Sequence, residues 1–175
     1  MRPDEVLDTL QRAGFEAWYV GGCVRDTLLG RPIHDWDVTT SALPEQVLAL
    51  FPRTVPTGLQ HGTVTVLSDS GPVEVTTYRA DGDYHDGRHP DGVRFVRSLR
   101  EDTARRDFTV NAMAMDQHGN ICDFHGGQAD LAAKVLRCVG EPERRFREDA
   151  LRMLRACRFA AQLGFSIEPA SWDAL

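Results

Sequence analysis

Two aspartates one residue apart, Asp35 and Asp37 in His34-Asp35-Trp36-Asp37-Val38, are the residues of this chain best suited to chemistry. On a strand, alternation puts both on one face, about 7 Å apart along the backbone, while Trp36 and Val38 take the other. Carboxylates so placed can hold hard divalent cations. Magnesium prefers oxygen ligands and is often shared between one or two carboxylates and substrate phosphates. Two such ions about 4 Å apart can activate an attacking hydroxyl and stabilise a leaving pyrophosphate. The pattern alone is common, as Asp81-Gly82-Asp83 in the same chain shows, and a solvated strand end would carry it equally well.

The surroundings add weight to the pair. Asp35 lies 13 residues after Gly22 in a Gly21-Gly22 turn that opens a helix, where backbone N–H groups can bind phosphate. Arg25 falls in the first turn of that helix. Glu74 sits between Val73 and Val75 in an apolar strand, where a charge needs a partner. A metal is one candidate partner; an outward-facing solvated position is the other reading. Six arginines (Arg144, Arg145, Arg147, Arg152, Arg155, Arg158) crowd a stretch with Glu148 and Asp149, which makes a local anion site.

Other patterns carry less. His34-Asp35 and His85-Asp86 resemble the core of a His-Asp phosphohydrolase but lack its helical context and further ligands. Gly21-Gly22 with Gly30 lacks the Gly-x-Gly-x-x-Gly spacing of a dinucleotide fold. Cys23, Cys122, Cys138 and Cys157 form no Cys-x-x-Cys pair, so they read as reduced, mostly buried thiols.

Positioning these groups requires a mixed α/β domain. Residues 4–13 read as a helix closed by Gly14, and 17–20 as a strand entering the glycine turn. A short helix over 24–29 follows, then the aspartate strand 35–39 and a helix over 44–50 bounded by Pro44 and Pro52. Strands are expected at 63–67 and 73–77 around a turn at 68–72, and a polar loop at 80–92. Helices are expected at 99–105 and 110–115, and a brief strand at 121–124. Beyond Gly126-Gly127 the chain reads as helical, with one long segment near 147–163. The expected division is 1–125 for the mixed domain and 126–175 for a helical piece, with a further C-terminal region missing.

The chain has 175 residues, enough for one cored domain with a small appendage. Hydrophobic residues are 42% and charged residues 26%, an ordinary balance for a soluble globular protein. No run approaches the roughly 20 apolar residues of a membrane span, and the N-terminus lacks a signal-peptide core. No membrane role and a cytoplasmic location are therefore expected. A net charge of −6 does not suggest a general nucleic-acid binder.

Gly21-Gly22-Cys23-Val24-Arg25-Asp26-x-Leu28-Leu29-Gly30 followed by Asp35-x-Asp37 resembles the bacterial tRNA nucleotidyltransferase (CCA-adding enzyme) and poly(A) polymerase family, the class II branch of the polymerase-beta-like nucleotidyltransferases. Arg105-Arg106-Asp107-Phe108-Thr109-Val110-Asn111-Ala112 is similar to the family's second motif. Phe124-His125-Gly126-Gly127-x-x-Asp130-Leu131 follows, and Glu148-Asp149-x-x-Arg152-x-x-Arg155-x-x-Arg158-Phe159 resembles the neck motif that selects nucleotides.

The resemblance implies a polymerase-beta-like head, a mixed sheet flanked by helices, followed by a helical neck. It implies transfer of CMP and AMP from CTP and ATP to the 3′ end of tRNA without a nucleic-acid template. Asp35 and Asp37 would hold Mg2+, as a two-ion site, and Glu74 would be the third acidic residue. Gly22 and Arg25 would face the triphosphate, Arg106 the nucleotide, and Asp107 the ribose. Asp149 and Arg152, taken as i, i+3 neighbours on one helix, would read the base edge. Arg155 and Arg158 would extend that stripe opposite an apolar side of Met153, Leu154, Cys157, Ala160 and Ala161. The tRNA would be gripped mainly by the missing region. The segment 79–90 corresponds to the family's flexible loop. Alternatives on the same scaffold are a poly(A) polymerase or a CC- or A-adding enzyme. The alternative from another class is a non-catalytic nucleotide- or RNA-binding module.

Overall fold

In a computed structural model, residues 1–82 and 92–175 are described. Elements follow in chain order: α1 (Pro3–Arg12), β1 (Ala17–Val20), α2 (Gly22–Leu28), β2 (Trp36–Thr40), α3 (Pro44–Leu50), β3 (Thr54–Gly58), β4 (Thr63–Ser68), β5 (Gly71–Thr77), β6 (Arg79–Asp81) and β7 (Val93–Phe95). Then come α4 (Leu99–Ala104), β8 (Ala114–Met115), β9 (Ile121–Cys122), α5 (Gly127–Ala133), β10 (Val135–Leu136), α6 (Pro142–Glu148), α7 (Leu151–Leu163), β11 (Ser166–Ile167) and α8 (Pro169–Asp173).

A seven-stranded mixed sheet in the order β3-β4-β5-β2-β1-β8-β9 organises the domain. β2 and β5 run parallel, because α3 and the β3–β4 hairpin carry the chain back between them. Strand alternation splits the sheet into two faces. Tyr19, Val38, Val64, Val66, Val73 and Val75 pack under Val6, Leu7 and Leu10 of α1 and Val47 of α3. Each fully buried aliphatic side chain there contributes about 1.5–3 kcal/mol. The opposite face carries Asp37, Thr39, Thr65, Glu74 and Thr76. A smaller cluster of Val20, Tyr78, Val96 and Leu99 covers one end of that face and seats α4 over it.

Several expectations needed correction. Residues 110–115 are not a helix: a 3-10 turn at Thr109–Asn111 leads into β8, which pairs with β1 through Val20↔Ala114 and Tyr19↔Met115. A vacant sheet edge overrides the local helical pattern of a short apolar run. The loop at 80–92 begins in β6 and leads into β7, which pairs with it, and its residues 83–91, with His85 and Asp86, lie outside the described residues. β3 was missed because Val55-Pro56 and two threonines give a short, exposed edge strand with little pattern. The long helix at 147–163 is two helices, broken at Asp149, whose φ of −142° and ψ of 105° are extended. Asp149 Oδ1 accepts from Leu151 N at 2.9 Å, a local bond that competes with helical continuation.

The helical segment is continuous with the sheet domain. Phe108 meets Phe159 edge-on at 6.0 Å between ring centroids, and Leu131, Leu136, Phe146 and Phe159 join the core cluster of the sheet. Val139 N donates to Asp107 O and Thr109 N to Arg137 O. Gly127 approaches Thr109 so closely that a Cβ there would lie 2.3 Å from its carbonyl oxygen. No described helix is long and apolar enough to cross a membrane.

Candidate active site

β2 and β5 bring two carboxylates together. Asp37 and Glu74 are register partners on these parallel strands, so both project from the same face, with Thr65 of β4 next in the row. Asp35 lies one residue before β2 and is exposed; Asp37 is half-buried and Glu74 exposed. Burial pushes the Asp37 carboxyl above its ordinary value, and the charges of Glu74 and Asp35 push the same way, against the opposing pull of Arg106. Among the described residues, no three His, Cys, Asp or Glu side chains form a metal cage. A carboxylate pair with unbalanced negative charge still fits magnesium, which needs only one or two protein carboxylates beside substrate phosphate.

Arg106 approaches this pair from the loop after α4. Its Nη1 and Asp37 Oδ2 would each lie 3.5 Å from a Cβ placed on Gly21, so the glycine turn, the arginine and the aspartate meet at one point. Gly21 has φ +76°, a conformation that favours glycine, and the absent side chain keeps that point open. Arg106 Nε is buried and has no hydrogen-bond partner among the described residues. An unsatisfied guanidinium N–H beside a carboxylate pair suits an anionic group of a ligand.

Arg25 is buried and turned inward. Its Nε and Nη2 bind the two oxygens of Asp26 at 3.0 and 2.9 Å, and its Nη1 donates to Asn111 Oδ1 at 2.8 Å. Gly22 lies against it, a Cβ there falling 3.5 Å from Nη2. Asp107 accepts from Phe108 N at 2.8 Å and from Arg155 Nε at 2.7 Å, and Asn111 Nδ2 approaches at 3.4 Å. The guanidiniums of Arg25, Arg155 and Arg158 lie 5.3, 5.1 and 5.7 Å from the Phe159 ring centre, within cation–π range. Hydrogen bonds thus run from the glycine turn through Asn111 and Asp107 to α7.

α7 is turned differently from its sequence pattern. Arg152, Ala156 and Phe159 face inward, while Leu154 is 67% exposed and Cys157 is exposed. Arg152 is 7% exposed. Its Nη1 donates to Glu148 Oε2 at 2.8 Å and Arg145 O at 3.2 Å, and its Nη2 to Arg105 O at 3.1 Å. A buried arginine is tolerated because Glu148, the Arg145 carbonyl of α6 and the Arg105 carbonyl just after α4 satisfy it. Asp149 and Arg152 are therefore not surface neighbours on one helix. Asp149 stands at the break and Arg152 packs beneath it, linked through Arg152 N to Asp149 O at 3.0 Å.

Sequence reading missed Asp102, Asn111 and Glu148. Asp102 and Glu148 were visible in principle as i, i+3 and i, i+4 partners of Arg105, Arg106, Arg145 and Arg152. A groove of about 1370 Å³ between α4, α6 and α8, lined by Arg105, His125, Arg145 and Glu148 among others, does not reach Asp35, Asp37 or Glu74. Its walls mix arginines and carboxylates without the unbalanced charge seen on the sheet face, so the chemistry favours the carboxylate pair as the site.

A family model described as the poly A polymerase head domain matches residues 17–137. The CCA-adding enzyme of Geobacillus thermodenitrificans is 58% identical over 162 residues, 93% of this chain and 40% of that protein. The Bacillus stearothermophilus CCA-adding enzyme in complex with CTP has a similar structure, with a TM-score of 0.90 at 49% identity over 99% of this chain and 43% of the other. A tRNA nucleotidyltransferase complexed with a primer tRNA and an incoming ATP analog gives 0.76 at 30% identity, covering 97% of this chain and 48% of that one. The chain spans about two fifths of the length of the curated relatives it matches.

Proposed function

Because the chain belongs to the poly A polymerase head-domain family, we propose that it carries the nucleotidyl-transfer site of a tRNA nucleotidyltransferase, adding CMP and AMP from CTP and ATP to the 3′ end of tRNA. The observation that carries this reading is the in-register pair of Asp37 and Glu74 with the Arg106 guanidinium beside it. The tRNA 3′ end and the choice of CTP and ATP come from the proteins to which the chain is similar. Residues 1–125 act as the catalytic head and 126–175 as the neck, working in the cytoplasm.

In the reaction the terminal 3′ hydroxyl attacks the α-phosphorus, a new P–O bond forms, and the bond to the β-phosphate breaks to release pyrophosphate. Asp35 and Asp37 would hold Mg2+ in a two-ion site, with Glu74 adding negative charge. When bound, the metal lowers the pKa of the attacking hydroxyl and offsets charge on the leaving group. Arg106, whose Nη1 reaches the open glycine turn beside Asp37, would meet the phosphate oxygens. Gly22 leaves the turn open for the triphosphate, and Arg25 braces that turn through Asp26 and Asn111. Asp107, held by Arg155, faces the ribose. Asp149 offers acceptors and Arg152 a donor fork to the base edge, with Arg152 sharing its bond to Glu148, and Arg158 extends the basic stripe.

The test is incorporation of labelled CTP and ATP into a tRNA lacking its 3′ end, with Mg2+ or with EDTA, alongside titration of both nucleotides onto the chain. Mg2+-dependent incorporation is expected. Nucleotide binding without incorporation at saturating RNA would favour the non-catalytic module; neither binding nor incorporation would overturn the site.

A further inference from the structure

Asp102 is 0% exposed, yet it is a charged residue away from the carboxylate pair. Burial alone would raise its pKa, but Arg105, Arg106, the Arg79 N–H and the Thr39 hydroxyl outweigh that and hold it low, as a buried carboxylate. Its Oδ1 accepts from Arg105 Nε at 3.1 Å and Arg79 N at 3.2 Å. Its Oδ2 accepts from Thr39 Oγ1 at 3.0 Å and lies 3.5 Å from Arg106 Nη2. Thr39 is two residues beyond Asp37 on β2, and so on the same face. One oxygen atom therefore contacts both the strand that carries Asp37 and the guanidinium that lies beside Asp37.

The cost of burying such a charge is large unless every partner is in place. A carboxylate needed only to cap α4 or to seat β6 would not have to reach Arg106 as well. We infer that Asp102 is a positioning residue for nucleotide transfer: pinned by Thr39, it holds the Arg106 guanidinium at Asp37 and sets where the nucleotide's phosphate is received. The inference rests on the proposed function of the site.

The experiment is a double-mutant cycle read by CTP affinity in the presence of Mg2+, with melting temperature followed in parallel. Asp102→Asn keeps an acceptor for the Arg79 N–H and offers the Thr39 hydroxyl an amide N–H in place of the second carboxylate oxygen, and it removes the charge that holds Arg106. It should weaken CTP binding about tenfold, a coupling of about 1.4 kcal/mol. In an Arg106→Gln background the same change should alter affinity less than about twofold, because the group it positions is gone. An equal loss in both backgrounds, or no loss in the first, overturns the inference. Should Asp102→Asn fail to fold, Thr39→Val carries the test: about a threefold loss that disappears with Arg106→Gln supports it, and a loss that persists refutes it. If the wild-type chain binds no CTP, the reading of the site fails, and the inference is decided by the Arg106 Nε–H signal. Slow solvent exchange that becomes fast in Asp102→Asn or Thr39→Val supports it; unchanged protection overturns it.

Discussion

Replacing Asp37 by Asn separates the chemistry of the carboxylate pair from its effect on stability. Register partners on neighbouring strands lie about 4.8 Å apart, so the charges of Asp37 and Glu74 stand roughly 5 Å from each other. Their repulsion is about 3 kcal/mol at an effective dielectric constant of 20 and about 0.8 kcal/mol in water. Glu74 is exposed, which favours the lower figure, and Arg106 offsets part of it. A net relief of about 0.5–1 kcal/mol is expected from Asp37→Asn without metal at pH 7, or ~1–4 °C in Tm. The sign follows from linkage. Asp37's folded pKa is raised above its unfolded value, so the folded state binds its proton more tightly. The group's cost is absent below the unfolded pKa, grows as pH rises toward the folded pKa, and is complete above it. The stabilising effect of Asp37→Asn should therefore fade on acidification toward the unfolded value. Mg2+ at ten times its Kd should raise the wild-type stability by about 1.4 kcal/mol and leave Asp37→Asn nearly unchanged. Differential scanning calorimetry with Mg2+ or EDTA measures both. A variant that melts below wild type at pH 7 in EDTA, or equal Mg2+ stabilisation of the two proteins, would refute the reasoning. Transfer activity of the variant should fall by about 10³ or more if the metal site is lost.

Arg152→Ala should relax selection of CTP and ATP over UTP and GTP more than it weakens triphosphate binding, read from incorporation of each nucleotide; full selectivity retained would remove Arg152 from base reading. The same change strips Glu148 and the Arg105 carbonyl of a buried donor and should cost about 2–3 kcal/mol in urea unfolding. Gly127→Ala should destabilise by about 1–3 kcal/mol or more, since its Cβ would fall 2.3 Å from Thr109 O and 2.8 Å from Met113 Cγ, so backbone as well as side chain would have to move. Asp123→Ala removes the carboxylate that accepts from Gly127 N at 3.0 Å and Gln128 N at 2.9 Å ahead of α5, at a cost of about 1 kcal/mol. These N–H bonds hold the Asp123 pKa low against its burial, so this contribution is present above the unfolded pKa and is lost as pH falls through the folded one. A wild-type and variant difference in urea midpoint that grows on acidification would contradict that assignment.

Most of the head's first half was legible from the sequence alone. Helix and strand periodicity through residue 77, the edge strand β3 excepted, the glycine turn, and the alternation that puts Asp37 on a polar face are local properties, and they gave the elements and the carboxylate chemistry together. Glu74 was legible as a charge inside an apolar strand, but only the parallel register of β5 on β2 made it the partner of Asp37. Residues 110–115 and 147–163 misled for different reasons: a sheet edge recruited Ala114 and Met115, and Asp149 closed a local side-chain hydrogen bond that periodicity does not register. Which side of α7 faces inward was also invisible. Apolar spacing favoured Leu154, yet Glu148 and the carbonyls of Arg105 and Arg145 compensate Arg152 and draw it in. Pattern reports which side chains prefer burial; only the assembled structure shows which charges find enough partners to be buried.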